Sequence, residues 1–169
     1  MTGHSLGAAT ATLLAPYIGF LINGKKPVPT LPSNITVFTS GTPAVGDTQF
    51  ANFLNNQPNY QACFNENDAI PCLWSTSGQF SIPNMYNLFP PPEPNPMPDS
   101  PVKSLIEDIV RRMTDNMVSY QQSKAVTFTF ETIPEPGQDP WMEELMYQHN
   151  TAYDVYFGIT SAASKTGAT

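Results

Sequence analysis

The chain reads as an α/β protein: a mainly parallel sheet flanked by helices. Two observations predict this. Short β-branched runs alternate with helical segments in the first part of the chain, and the first helix is entered through a turn in which glycines bracket a serine. The 169 residues suffice for one domain. We place it at residues 1–160, with a proline-rich insertion at about 78–100 and a flexible tail at 161–169.

Residues 6–23 (LGAATATLLAPYIGFLIN) predict a helix. Small residues fill its first turn, Leu13, Leu14, Ile18, Leu21 and Ile22 form an apolar stripe, and Gly24 supplies the stop. Pro16 removes one backbone donor inside it, so a kink or break is expected there. Residues 25–33 carry three prolines and read as a loop. Ile35–Thr39 is a β-branched run, expected as a buried strand ending at Ser40-Gly41-Thr42-Pro43. Residues 47–55 suit a short helix capped by Asp47, and Tyr60–Phe64 a second strand. From Pro83 to Pro101 eight of nineteen residues are proline, which predicts an extended excursion without helix or central strand. Ser100 and Pro101 then open the clearest helix. Its apolar face (Val102, Leu105, Ile106, Ile109, Val110, Met113 and Met117) is expected to pack on the sheet. Ala125–Glu131 (AVTFTFE) alternates as a strand does, and Trp141–Ile159 closes the ordered part.

Composition narrows the function classes. Seven Lys+Arg against fourteen Asp+Glu leave a net charge of −7, and the adjacent basic pairs are only Lys25-Lys26 and Arg111-Arg112. Neutralising phosphates needs clustered cations, so a nucleic-acid partner is not expected. No apolar run is expected to reach the 18 or so residues that span a bilayer. Two cysteines are too few for a disulfide scaffold, and neither sits in a His/Cys cluster of metal-ligand spacing; no metal and no cofactor are expected. Few lysines and many Asn, Thr and Pro lean towards a secreted protein. Asn34-Ile35-Thr36 fits a glycosylation sequon but is expected to be buried at the opening of a strand. Phe38, Trp74, Phe80 and Phe89 are read as core aromatics that can also line an apolar pocket.

Gly3-His4-Ser5-Leu6-Gly7 fits the G-x-S-x-G elbow, in which a serine sits on a tight strand-to-helix turn with its hydroxyl exposed. A serine hydroxyl needs a base to take its proton. The chain has two histidines. His4 adjoins the serine and is expected to point to the sheet side as a packed or hydrogen-bonded residue, which leaves His149 as the base. A carboxylate must orient that base. Asp68, at the end of the second strand, is favoured over Asp47, with Glu66 a weaker rival.

Gly3-His4-Ser5-Leu6-Gly7-Ala8-Ala9 resembles the GHSLGGA signature of the class 3 lipases, fungal-type triacylglycerol lipases of the α/β-hydrolase fold. Ser40-Gly41-Thr42-Pro43-Ala44-Val45-Gly46-Asp47 is similar to that family's GSPRVGN segment, with Ala44 in place of arginine. Asn67-Asp68-Ala69-Ile70-Pro71 resembles its D-x-V-P segment, and His149 to Tyr153 its H-x-x-x-Y pattern. The resemblance implies a partial α/β-hydrolase fold starting at the nucleophile elbow, and a nucleophile Ser5, acid Asp68 and base His149. It also implies a backbone donor to the oxyanion at Leu6, with a lipid or small ester as substrate and transient contact with a lipid interface. The alternative is a non-catalytic hydrolase domain that acts as a binding or structural piece. The matched segments are those of the C-terminal part of the family domain. The expectation is that its first strands, lid and second oxyanion donor lie before Met1. Activity of these residues alone is then weak or absent, and an exposed sheet edge favours a homo-oligomer. Cys63 and Cys72 flank the proposed acid loop, where free thiols are expected rather than a disulfide.

Overall fold

The structure is a computed structural model and describes residues 1–22, 30–85, 88, 101–131, 133 and 140–159. Four strands form one parallel sheet in the order β1-β2-β3-β4: β1 (Thr2–His4), β2 (Val37–Ser40), β3 (Tyr60–Asn65) and β4 (Val126–Phe128). All three pairings are parallel, with Gly3 opposite Thr39, Thr39 opposite Ala62 and Cys63 opposite Val126. A parallel sheet places the loops that follow its strands at one edge, where α/β proteins build their sites.

β1 runs directly into α1 (Ser5–Ile22), which stays unbroken through Pro16. The helix buries its small residues Ala8, Ala9, Ala11, Ala15 and Gly19, and leaves Leu13, Leu21 and Ile22 exposed. It spans 18 residues with a mean hydropathy of 1.6, so it is long and apolar enough to cross a membrane by length and composition. The expectation that no run reaches that length is therefore corrected. Small-residue packing of α1 against the sheet accounts for its buried side within the fold.

β2 starts two residues later than expected, because the Ile35 N–H closes a turn on the Pro32 carbonyl (2.9 Å). That turn leaves Asn34 exposed, which corrects its expected burial in a strand. α2 (Thr48–Asn55) begins as the sequence predicts: Asp47 caps it by accepting from the Phe50 N–H at 2.8 Å.

The proline-rich expectation is corrected at its start. Its first residues form a helical turn, α3 (Ile82–Met85), with Pro83 where no backbone donor is needed and Ile82 and Met85 buried. Pro90-Pro91-Pro92, Phe89, Ser100, Gly24 and the tail at 161–169 lie outside the described residues. Among the described side chains of α4 (Pro101–Asp115), Ile106 and Met113 are buried. Leu105 is 59% exposed, and Met117, beyond the helix end, is 93% exposed, so the apolar face is narrower than its spacing predicts. Ile106 joins Ala62, Phe64, Phe80, Met85 and Trp141 in the main core cluster. Phe80 is a core aromatic, packed edge-on to Phe64 (5.1 Å), whereas Phe38 is half-buried and meets the exposed Phe157 edge-on (5.8 Å), which corrects its reading as core; Trp74 lines an open depression with Leu13, Val45 and Met113.

The last element is α5 (Pro140–Met146), a π-helical turn (Tyr147–Thr151) and α6 (Ala152–Tyr156) in succession. The wider turn sits where His149 is carried; π turns inside helices are frequent at functional sites.

Candidate active site

Ser5 is the first residue of α1 and follows β1 without a loop. Its φ of +56° lies in the left-handed region that a residue with a Cβ rarely occupies. The strain comes from the tightness of the turn: a Cβ on Gly3 would stand 2.4 Å from the Gly7 carbonyl oxygen and 2.6 Å from the Ala8 nitrogen. Gly3 is thus required. Gly7 is not, since a Cβ there meets nothing within 4 Å among the described residues. Small size on both sides of the serine, expected from the motif, is enforced on one side. Leu6 follows in the first turn, where backbone N–H groups have no intrahelical acceptor.

Asp68 lies in the loop after β3, fully buried, and the π turn brings His149 to it across 81 residues. His149 Nδ1 and Asp68 Oδ2 are 2.9 Å apart. The same carboxylate oxygen accepts from the Tyr153 hydroxyl (3.0 Å), and Oδ1 accepts from the Ile70 N–H (2.9 Å). Two donors on Oδ2 and one on Oδ1 satisfy a carboxylate that water cannot reach. Burial and the charge of Asp68 raise the Tyr153 phenol, so it stays protonated and acts as a donor. The rivals are occupied elsewhere: Asp47 caps α2, and Glu66 accepts from the Thr129 hydroxyl (3.0 Å).

His4 is hydrogen-bonded and packed, as expected, but its packing partner is His149. The two rings stand 4.6 Å apart, and His4 Nδ1 is 3.0 Å from Ser40 Oγ. Burial, followed by the charge of His149, lowers the His4 pKa below its usual value, so His4 is neutral near neutral pH. Gly41 explains how three side chains converge here. A Cβ on it would approach His4 Cε1 to 2.9 Å, Asp68 Oδ2 to 3.1 Å and His149 Cε1 to 3.1 Å, and its φ is +56°.

The structure therefore joins two of the three predicted residues. His149 Nε2 is buried without a hydrogen-bond partner among the described residues, so the bond from Ser5 Oγ is not formed in this structure. Ser5 and Asp68 nonetheless follow the same ends of parallel strands, and Ser5 adjoins the histidine that stacks on His149. Such bonds are often open in unliganded enzymes. The cysteines are free and buried; burial raises Cys63, and burial with the nearby Asp68 pushes Cys72 up to about 12, which leaves neither as a thiolate nucleophile. The motifs that contain Tyr153 and Gly41 give neither residue a role, and the local signal for Gly41 is its place at a strand end.

Residues 1–77 match the lipase (class 3) family. The chain is 39% identical over 74 residues to a lipase of Rhizomucor miehei, covering 43% of this chain and 19% of that protein. In three dimensions it is similar to the crystal structure of M37 lipase, with a TM-score of 0.70 at 24% identity over 94% of this chain and 44% of that one. The chain thus spans less than half the length of either relative. The fold is that of part of an α/β-hydrolase, and the match to the class 3 lipase family covers residues 1–77, which carry the Ser5 elbow and Asp68.

Proposed function

We propose that this chain carries the hydrolytic centre of a carboxylic ester hydrolase of the lipase type, with acylglycerols or related lipid esters as substrates. The observation that supports this best is the buried 2.9 Å contact of His149 with Asp68 beside a strained serine elbow. Ser5 Oγ attacks the ester carbonyl carbon while His149 Nε2 takes its proton, and Asp68 stabilises the imidazolium through Nδ1. The Leu6 N–H donates to the tetrahedral oxyanion. Collapse expels the alcohol, which receives the proton from His149 and leaves an acyl group on Ser5. A water deprotonated by His149 then releases the carboxylic acid and frees the serine.

The test is a fluorophosphonate probe together with a short-chain ester. Labelling and hydrolysis that both vanish in Ser5→Ala are expected. A folded protein that neither labels nor hydrolyses would favour the non-catalytic alternative.

A further inference from the structure

Behind the Asp68–His149 pair runs a second set of buried polar side chains that the proposed chemistry does not use. Gln148, adjacent to His149 in the π turn, is fully buried. Asn65, three residues before Asp68 at the end of β3, is also fully buried. The Asn65 carboxamide nitrogen donates to both the side-chain oxygen (2.6 Å) and the backbone carbonyl (3.0 Å) of Gln148. Gln148 Nε2 in turn donates to Glu144 Oε1 (2.6 Å) and to the Glu131 carbonyl (2.9 Å). Glu144 Oε2 accepts from the Ile133 N–H at 2.8 Å.

The remaining polar groups of Asn65 point at the acid loop. Its carbonyl accepts from the Asp68 N–H (3.0 Å) and its side-chain oxygen from the Asn67 N–H (3.2 Å). Its own N–H donates to the Tyr153 hydroxyl (2.9 Å), which donates onward to Asp68. Every donor faces an acceptor only in this direction. Glu144 and the Glu131 carbonyl present acceptors alone, so the NH₂ of Gln148 must turn to them and its oxygen to Asn65.

We propose that Gln148 and Asn65 are positioning residues: their paired carboxamides clamp the turn carrying His149 to the loop carrying Asp68, and Glu144 sets the direction of the clamp. As a role in turnover this rests on the Ser5, Asp68 and His149 reading. The π turn is a single irregular turn and the acid loop has only local hydrogen bonds, so the alignment of one with the other rests on this clamp. Loosening it lets Asp68 drift from Nδ1, which withdraws support from the imidazolium.

Gln148→Met keeps the side-chain length and removes the clamp. The expected result is a kcat lower by about 10- to 100-fold at unchanged KM. The acid limb of the pH–rate profile moves to lower pH, because the charged form of His149 loses stabilisation. The far-downfield proton resonance of the His149 Nδ1–H is expected to broaden or vanish. An unmoved acid limb and an intact resonance overturn the proposal, whatever the melting temperature does. Should Gln148→Met fail to fold, Glu144→Gln decides by the same criteria, since a carboxamide has one acceptor oxygen for two donors. Ser5→Ala separates the two ideas: if it still hydrolyses ester the catalytic reading fails, and the resonance alone judges the clamp.

Discussion

His4 and His149 stack with ring centroids 4.6 Å apart and planes tilted by 32°. Burial and then the neighbouring His149 lower the His4 pKa below its ordinary value, so the fold holds His4 neutral.

That arrangement fixes a pH dependence of stability. The His4 pKa is lowered in the folded chain by burial and then by His149, against an ordinary value of 6.5. Between the two values the unfolded chain binds a proton that the folded chain refuses. The associated stability is thus complete above about pH 6.5 and is lost as pH falls towards the folded value. His4→Asn removes this titration. Melting temperatures followed from about pH 8 to pH 5 are expected to fall less steeply in the variant; equal slopes would refute the assignment.

Gly41 is the next test, because its missing Cβ leaves the space where His4, Asp68 and His149 meet. Gly41→Ala adds an atom within about 3.1 Å of all three and places a Cβ at φ +56°. Left-handed strain costs about 1–2 kcal/mol and overpacking about 1–3 kcal/mol. Destabilisation by denaturant titration should be accompanied by a loss of ester hydrolysis larger than unfolding explains.

The two glycines of the elbow are predicted to respond with opposite signs. At Gly3 a methyl group meets backbone atoms at 2.4–2.6 Å, and no rotamer change relieves that. Gly3→Ala should lower the melting temperature and abolish probe labelling together. At Gly7 a methyl group meets nothing within 4 Å and lies inside α1. Gly7→Ala should be neutral or stabilising by up to about 1 kcal/mol, the helix-propensity difference. A destabilised Gly7→Ala would mean that the elbow is crowded on both sides.

Local patterns made much of this legible in the sequence. The Ser5 elbow, α1, β2, α2 with its Asp47 cap and β3 each leave a signal within a few residues, and each was found within about two residues. The pairing of Asp68 with His149 is legible by another route: His149 is the histidine left once His4 packs at the sheet, and the order expected of the family puts the acid before it. Contacts between distant polar residues leave no periodicity, so the His4 stack and the Asn65–Gln148 pair were invisible. Nor does composition reveal that Ile82–Met85 turns helical around Pro83, or that a π turn carries His149. The exposure of Asn34 was missed for a simpler reason: a β-branched pair, Ile35-Thr36, lies just outside the strand that its composition suggests.

Tyr153 ties Asp68 to the end of β3 through the two hydrogen bonds of its hydroxyl. Its hydroxyl accepts from the Asn65 N–H at 2.9 Å and donates to Asp68 Oδ2 at 3.0 Å, while its ring packs edge-on to Phe128 at 5.2 Å. Tyr153→Phe keeps the ring and deletes both bonds. Asn65 then holds a buried donor without an acceptor, and Asp68 Oδ2 keeps only His149. Losing a buried hydrogen bond to a charged group costs about 1.5–3 kcal/mol. With one competitor for Oδ2 gone, the contact of Asp68 with His149 tightens, so the acid limb of hydrolysis should move to higher pH. That is the reverse of the shift expected when the Gln148 clamp is cut. Thermal unfolding gives the stability loss, and pH–rate profiles of Tyr153→Phe and Gln148→Met give the opposed shifts. Shifts of the same sign would mean that both variants merely loosen one site, and that the two bonds to Asp68 do not compete.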